Sequence, residues 1–117
     1  MARKILMGDG RAALAAVRAG GAGRSDTATA VRYLLQLLEE RAPGKSVEVR
    51  VPPFGAVQVI QGPQHTRGTP PNVIETDATT WVPLALGELD WGEAVASGAI
   101  RASGTRADIA ALLPLRP

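Results

Sequence analysis

The chain carries few side chains able to do covalent chemistry. Its 117 residues include one histidine and no cysteine. The lack of cysteine removes disulfides, thiolate metal sites, iron–sulfur clusters and thiol nucleophiles together. The histidine, His65, lies in the polar, proline-bounded stretch Gln64-His65-Thr66-Arg67-Gly68-Thr69-Pro70-Pro71. A catalytic base needs a nucleophile held beside it, and a histidine in such a loop is read first as a surface or tethering group. Glu75 and Asp77 stand two apart and are the nearest approach to an acid–base pair. Asp77, however, already has a role as a helix cap. Glu39 and Glu40 are adjacent and belong to a solvated helix face. With one imidazole only oxygen-rich metal sites remain, and no acidic loop has calcium-binding spacing. The glycines at 20–23 follow no strand and form no G-x-G-x-x-G phosphate loop. The residues therefore nominate no catalytic group, no metal and no cofactor.

Composition narrows the partners in the same way. Thirteen basic against eleven acidic residues give a net charge of +2, with the arginines scattered and no basic run. The aromatic residues are few, Tyr33, Phe54, Trp81 and Trp91, so no nucleic-acid arm or stacking platform is expected. The segment Met1-Ala-Arg-Lys-Ile-Leu-Met-Gly-Asp has too short an apolar run for a signal peptide, and no stretch reaches the roughly 18 apolar residues of a membrane span. A cytoplasmic location is expected, and the absence of cysteine fits a reducing compartment. The hydrophobic fraction of 45% and charged fraction of 21% are those of an ordinary globular protein.

The elements that would position any site can be read from periodicity. One domain is expected over residues 1–117, with an N-terminal helix and glycine-rich break at 1–24 and a core at 25–115. The alanine-rich run 9–19 favours a short helix, stopped by Gly20-Gly21-Ala22-Gly23. A longer helix runs from Ser25 or Asp26, either of which can cap it, to Arg41. Val31, Leu34, Leu35 and Leu38 fall on one of its faces, and Tyr33 and Leu37 widen that face enough to meet a sheet. Val47, Val49 and Val51 alternate with Glu48 and Arg50 as a half-buried strand. The turn Pro52-Pro53-Phe54-Gly55 leads back into an antiparallel partner at 56–61. Val73–Thr76 adds a short strand. Asp77 caps a helix stopped by Gly87, and Asp90 caps another stopped by Gly98, with Glu93 placed as in a capping box. Residues 99–103 read as a strand. Thr105 is expected to cap a last helix bearing Ile109, Leu112 and Leu113, ended by Pro114. The class is α+β: a mixed, mostly antiparallel sheet of four to five strands with helices on one face. Such a pattern closes as a solid core, the reading that patterning alone favours, or leaves a cavity for an apolar ligand, and sequence does not tell wall from filling.

The residues from Val73 to Leu115 resemble the C-terminal half of the sterol carrier protein type-2 family. They carry an acid-capped helix leading into the G-x-L turn Gly87-Glu88-Leu89, a short helix, the strand Gly98-Ala99-Ile100-Arg101-Ala102-Ser103-Gly104 and a closing apolar segment. The resemblance extends over about residues 26–115. It is greatest to the short stand-alone bacterial members of actinobacterial type, through Val-Pro-Pro-Phe-Gly-Ala-Val-Gln at 51–58 and His-Thr-Arg-Gly-Thr-Pro-Pro-Asn at 65–72.

The resemblance implies a five-stranded sheet and a hydrophobic tunnel for a sterol, fatty acyl chain or similar apolar molecule, with no catalysis and no cofactor. Carried over, the tunnel walls would be Val31, Leu34, Leu35, Leu38, Val57, Val59, Trp81, Leu84, Trp91, Ile109, Leu112 and Leu113. From residue type, Arg50, His65 or Arg67 would orient a polar head at the mouth. Two departures bear on tunnel size: few residues follow Leu115, and the third strand is reduced to the proline-rich stretch 63–71. The fold also occurs as an accessory domain in thiol-dependent isomerases and acetyltransferases. The alternative is thus a solid-cored interaction module that forms a homodimer or assists a partner enzyme.

Overall fold

The computed structural model describes residues 3–63 and 71–117. The order of elements is α1 (Met7–Ala19), α2 (Arg24–Arg41), β1 (Pro43–Val51), β2 (Gly55–Val59), β3 (Asn72–Thr76), α3 (Ala78–Ala85), α4 (Trp91–Ala96) and β4 (Ile100–Ser103), then a 3-10 turn at Ala110–Leu112. The four strands form one mixed sheet in the order β2-β1-β3-β4. β1 pairs antiparallel with β2 and parallel with β3, and β4 closes antiparallel on β3. The α+β class and the hairpin are as the alternation dictates. The expected fifth strand, at 63–71, falls almost wholly on residues outside those described.

Register assigns the two faces of the sheet. Val47 opposes Val59 and Asn72, and Val49 opposes Val57 and Ile74, so these side chains share the helix-facing side. Val47, Val49, Val51, Val59, Ile74 and Ile100 are buried there against Val31, Leu34, Leu35 and Leu38 of α2. The opposite face carries Glu48, Arg50, Gln58, Glu75 and Arg101, with ion pairs Arg50–Glu48 and Arg101–Glu75. This is the polar, open side of a one-sided sheet. α1 forms an outer layer on α2: Ala13 and Leu14 are buried, and a Cβ at Gly10 would overlap the Tyr33 ring.

Three local expectations are corrected. Neither Ser25 nor Asp26 caps α2; its first cap residue is Gly23, which makes no side-chain hydrogen bond, and Asp26 lies in the first turn. There its carboxylate still complements the positive end of the helix. β1 starts at Pro43 rather than Ser46, because a bulge lets both Pro43 and Val47 face Val59. The last expected helix is a single 3-10 turn, and Thr105 caps nothing in it. Asp108 Oδ1 instead accepts from the Ala110 amide at 2.8 Å, a local turn that competes with helix. Pro114 limits Leu113 to extended backbone, which leaves too few residues to offset helix nucleation. Leu115 donates its amide to Ala85 O, fixing the tail to α3.

The caps of α3 and α4 follow the sequence reading. Asp77 accepts from the Thr80 amide and Asp90 from the Glu93 amide. The Thr80 amide, and then the Thr79 hydroxyl, hold the Asp77 carboxyl below its ordinary value of 3.8. No helix among the described residues is long and apolar enough to cross a membrane.

Candidate functional site

The nominated tunnel residues divide into three places. Val31, Leu34, Leu38, Val59, Trp81 and Ile109 lie in the closed core between the sheet and the helices. A void as wide as a water molecule would leave accessible surface on the atoms around it. Val31, Leu34, Leu38, Val59 and Trp81 are all 0% exposed, so no such void touches them here. Trp81 also spends its polar atom inside, with Nε1 donating to Val31 O at 3.3 Å. Leu84, Trp91 and Leu113 reach a second place, a shallow cleft of about 370 Å³ between α3, α4 and the tail. Leu112 is partly buried beside the core.

Leu35 and Val57 reach the third. Along the β2 edge, α2 and the hairpin turn diverge and leave a surface cleft of about 830 Å³, wider than the other clefts described. Its apolar lining is Ile5, Leu35, Phe54 and Val57. Each arrives from a different part of the chain. Ile5 belongs to the segment before α1 and is tied down by Gln36, whose Oε1 accepts from the Ile5 amide at 2.8 Å and whose Nε2 donates to the Ile5 carbonyl at 3.0 Å. The two bonds satisfy backbone that has no strand partner. Leu35 projects from the sheet-facing side of α2 and, being 2% exposed, closes the bottom of the cleft where it meets the core. Phe54 occupies the β1–β2 turn, with Arg24 lying 5.5 Å from its ring centroid. Val57 projects from the helix-facing side of β2, which among the described residues is an edge strand paired with β1.

The rim is charged. Arg3, Lys4 and Arg32 outnumber Glu39 and Glu40 around the cleft, and Lys4 is paired with Glu40 at 3.3 Å. Arg32 donates from Nε to Phe54 O at 2.6 Å, which orients the guanidinium across the cleft. Its two terminal nitrogens make no hydrogen bond among the described residues. The site thus joins an apolar floor to an oriented cation, as an amphipathic molecule with an acidic or strongly polar head requires.

Of the nominated head-group residues, Arg50 lies on the polar face of the sheet, paired with Glu48, and does not line this cleft. Period-two alternation puts it opposite Val49 and Val51, so its placement follows from the strand pattern itself. His65 and Arg67 fall outside the described residues. Arg32 was missed by sequence reasoning: as an exposed helix residue it carries no signal until the Phe54 turn folds against it. Gln36 was missed for the same reason.

Comparison with known proteins agrees with the architecture. Residues 23–115 match the model of a protein family described as bacterial SCP ortholog. No curated protein matches the chain. The matched span begins at the start of α2, so α1 and the segment before it lie outside it.

Proposed function

The chain belongs to this bacterial family of sterol carrier protein-like domains, and from that premise we propose that it binds a lipid or other apolar small molecule without chemically altering it. The observation that carries this reading is the cleft lined by Ile5, Leu35, Phe54 and Val57 with the Arg32 guanidinium across it. Burial of a ligand's alkyl surface there contributes roughly 25 cal/mol per Å², and Arg32 fixes the direction in which the chain lies. Trp81, Leu34 and their neighbours fill the closed core, which favours the cleft over it.

The test is calorimetric titration of dodecanoate into the protein and into Val57→Asp and Arg32→Gln variants, with melting curves to check that each is folded. The charged aspartate should abolish binding, and Arg32→Gln should weaken it by up to about fivefold, the range of an exposed ion pair. Saturable binding unchanged in both variants would refute the assignment of the site.

A further inference from the structure

An open cleft buries only one flank of an alkyl chain, whereas small-molecule sites enclose most of their ligand. The apolar surface that can complete the enclosure adjoins the cleft on α2. Thr29, Arg32 and Gln36 border the cleft, and the next stripe around the helix is Ala30, Tyr33 and Leu37. Tyr33 is buried beneath α1, its ring against Gly10. We propose that residues 3–19 are a hinged cover, and that its opening lets the tail of a long-chain ligand extend from the cleft onto the Ala30–Tyr33–Leu37 stripe. This rests on the ligand-binding reading above and specifies where the tail goes.

Three independent features support a cover rather than a fixed layer. The helix is joined to α2 through Gly20 and Gly21, both at positive φ, a conformation that glycine adopts at little cost. Apart from the buried Ala13 and Leu14, residues 3–19 are held by polar ties at their periphery: Gln36 on Ile5, Lys4–Glu40, Arg18–Glu88 at 2.5 Å and Arg11 on Pro117 O. The helix is also bordered by two clefts on its α3 side. One cleft of about 320 Å³ runs along Val17, Val82 and Pro83, and another of about 440 Å³ along Leu14, Leu86 and Pro117. Arg18 and Glu88 border both, so this ion pair is the bridge that separates them.

The experiment compares octanoate with hexadecanoate. The chain has no cysteine, so an Arg11→Cys/Pro117→Cys variant, at the tie nine residues from the hinge, can be joined by a short bis-maleimide linker to lock the cover. The lock should slow and weaken hexadecanoate binding at least about tenfold relative to the same variant before linking, and leave octanoate within about twofold. Arg18→Glu, which sets like charges together, should speed hexadecanoate binding several-fold. Hydrogen exchange of the ligand-free protein supplies a separate readout: the α1 amides should exchange well ahead of the central α2 amides, as a locally opening unit does. Equal loss of both fatty acids on locking, loss of neither, or exchange of α1 only together with α2 would overturn the cover while leaving the cleft assignment standing. Failure of both fatty acids to bind the unmodified protein would overturn the ligand-binding reading itself.

Discussion

Replacement of Trp81 by alanine tests whether the interior is as full as its accessibility implies. Trp81 is the largest of the fully buried side chains; it is enclosed by the α2 and α3 apolar faces and bonded to Val31 O. Trimming it removes an indole from a site with no exposed surface, and the surrounding helices and sheet can relax only in part. Large-to-small changes of this kind cost about 3–5 kcal/mol, a large share of the about 5–15 kcal/mol that holds a domain folded. With a urea dependence of about 2 kcal/mol per molar, the unfolding midpoint should fall by about 2 M. The assay is equilibrium urea unfolding followed by far-ultraviolet circular dichroism, since the variant loses one of the two tryptophans that would otherwise report. The void should also admit a small apolar guest, so benzene should recover part of the lost stability, as ligands of the folded state do. A midpoint shift below about 0.5 M, with no effect of benzene, would refute the claim that Trp81 is tightly packed.

Two smaller perturbations probe how the elements are joined. Asn72 is buried and donates to Ser46 O at 2.9 Å while accepting from the Arg106 amide at 2.8 Å; Asn72→Ala should cost about 1–3 kcal/mol by stranding both partners, and a neutral result in urea unfolding would contradict the role given to it. Asp77 has a depressed folded-state pKa, so its carboxylate contributes stability above its ordinary value of 3.8, and that contribution is lost as pH falls through the lower folded value. Asp77→Asn should therefore flatten the acid limb of the stability–pH curve below about pH 4, and an acid limb identical to that of the unaltered protein would contradict the assignment.

Local chemistry made much of this architecture legible. The 3.6-residue spacing of Val31, Leu34, Leu35 and Leu38, the alternation of Val47, Val49 and Val51, and the acid caps at Asp77 and Asp90 each act within a few residues, so they can be read in order along the chain. The parallel pairing of β1 with β3 joins segments more than twenty residues apart and has no local mark. The closing helix misled because Ile109, Leu112 and Leu113 have helical spacing, yet Asp108 and Pro114 take the backbone elsewhere. Burial survives the loss of the helix only in part: Ile109 is in the core, while Leu112 and Leu113 pack partly buried against it.

The cleft was the least legible part. Its residues, Ile5, Leu35, Phe54 and Val57, come from four segments and meet only through Gln36 and Arg32, polar side chains on an exposed helix face. Nothing in their spacing sets them apart from ordinary solvated positions. The family likeness pointed instead to the deep apolar residues, of which Val57 and the buried Leu35 alone border this cleft. The difference has a physical origin. A side chain that fills a core and one that lines a cavity follow the same hydrophobic pattern, and only packing in three dimensions separates them.

The most direct measurement of the central claim is an amide and methyl NMR titration of the isotopically labelled protein with dodecanoate. Binding at the cleft predicts saturable shifts centred on Ile5, Leu35, Phe54 and Val57, with the Arg32 side-chain resonances moving at the same ligand concentration. Shifts confined to Leu84, Trp91 and Leu113, or none that saturate, would contradict it.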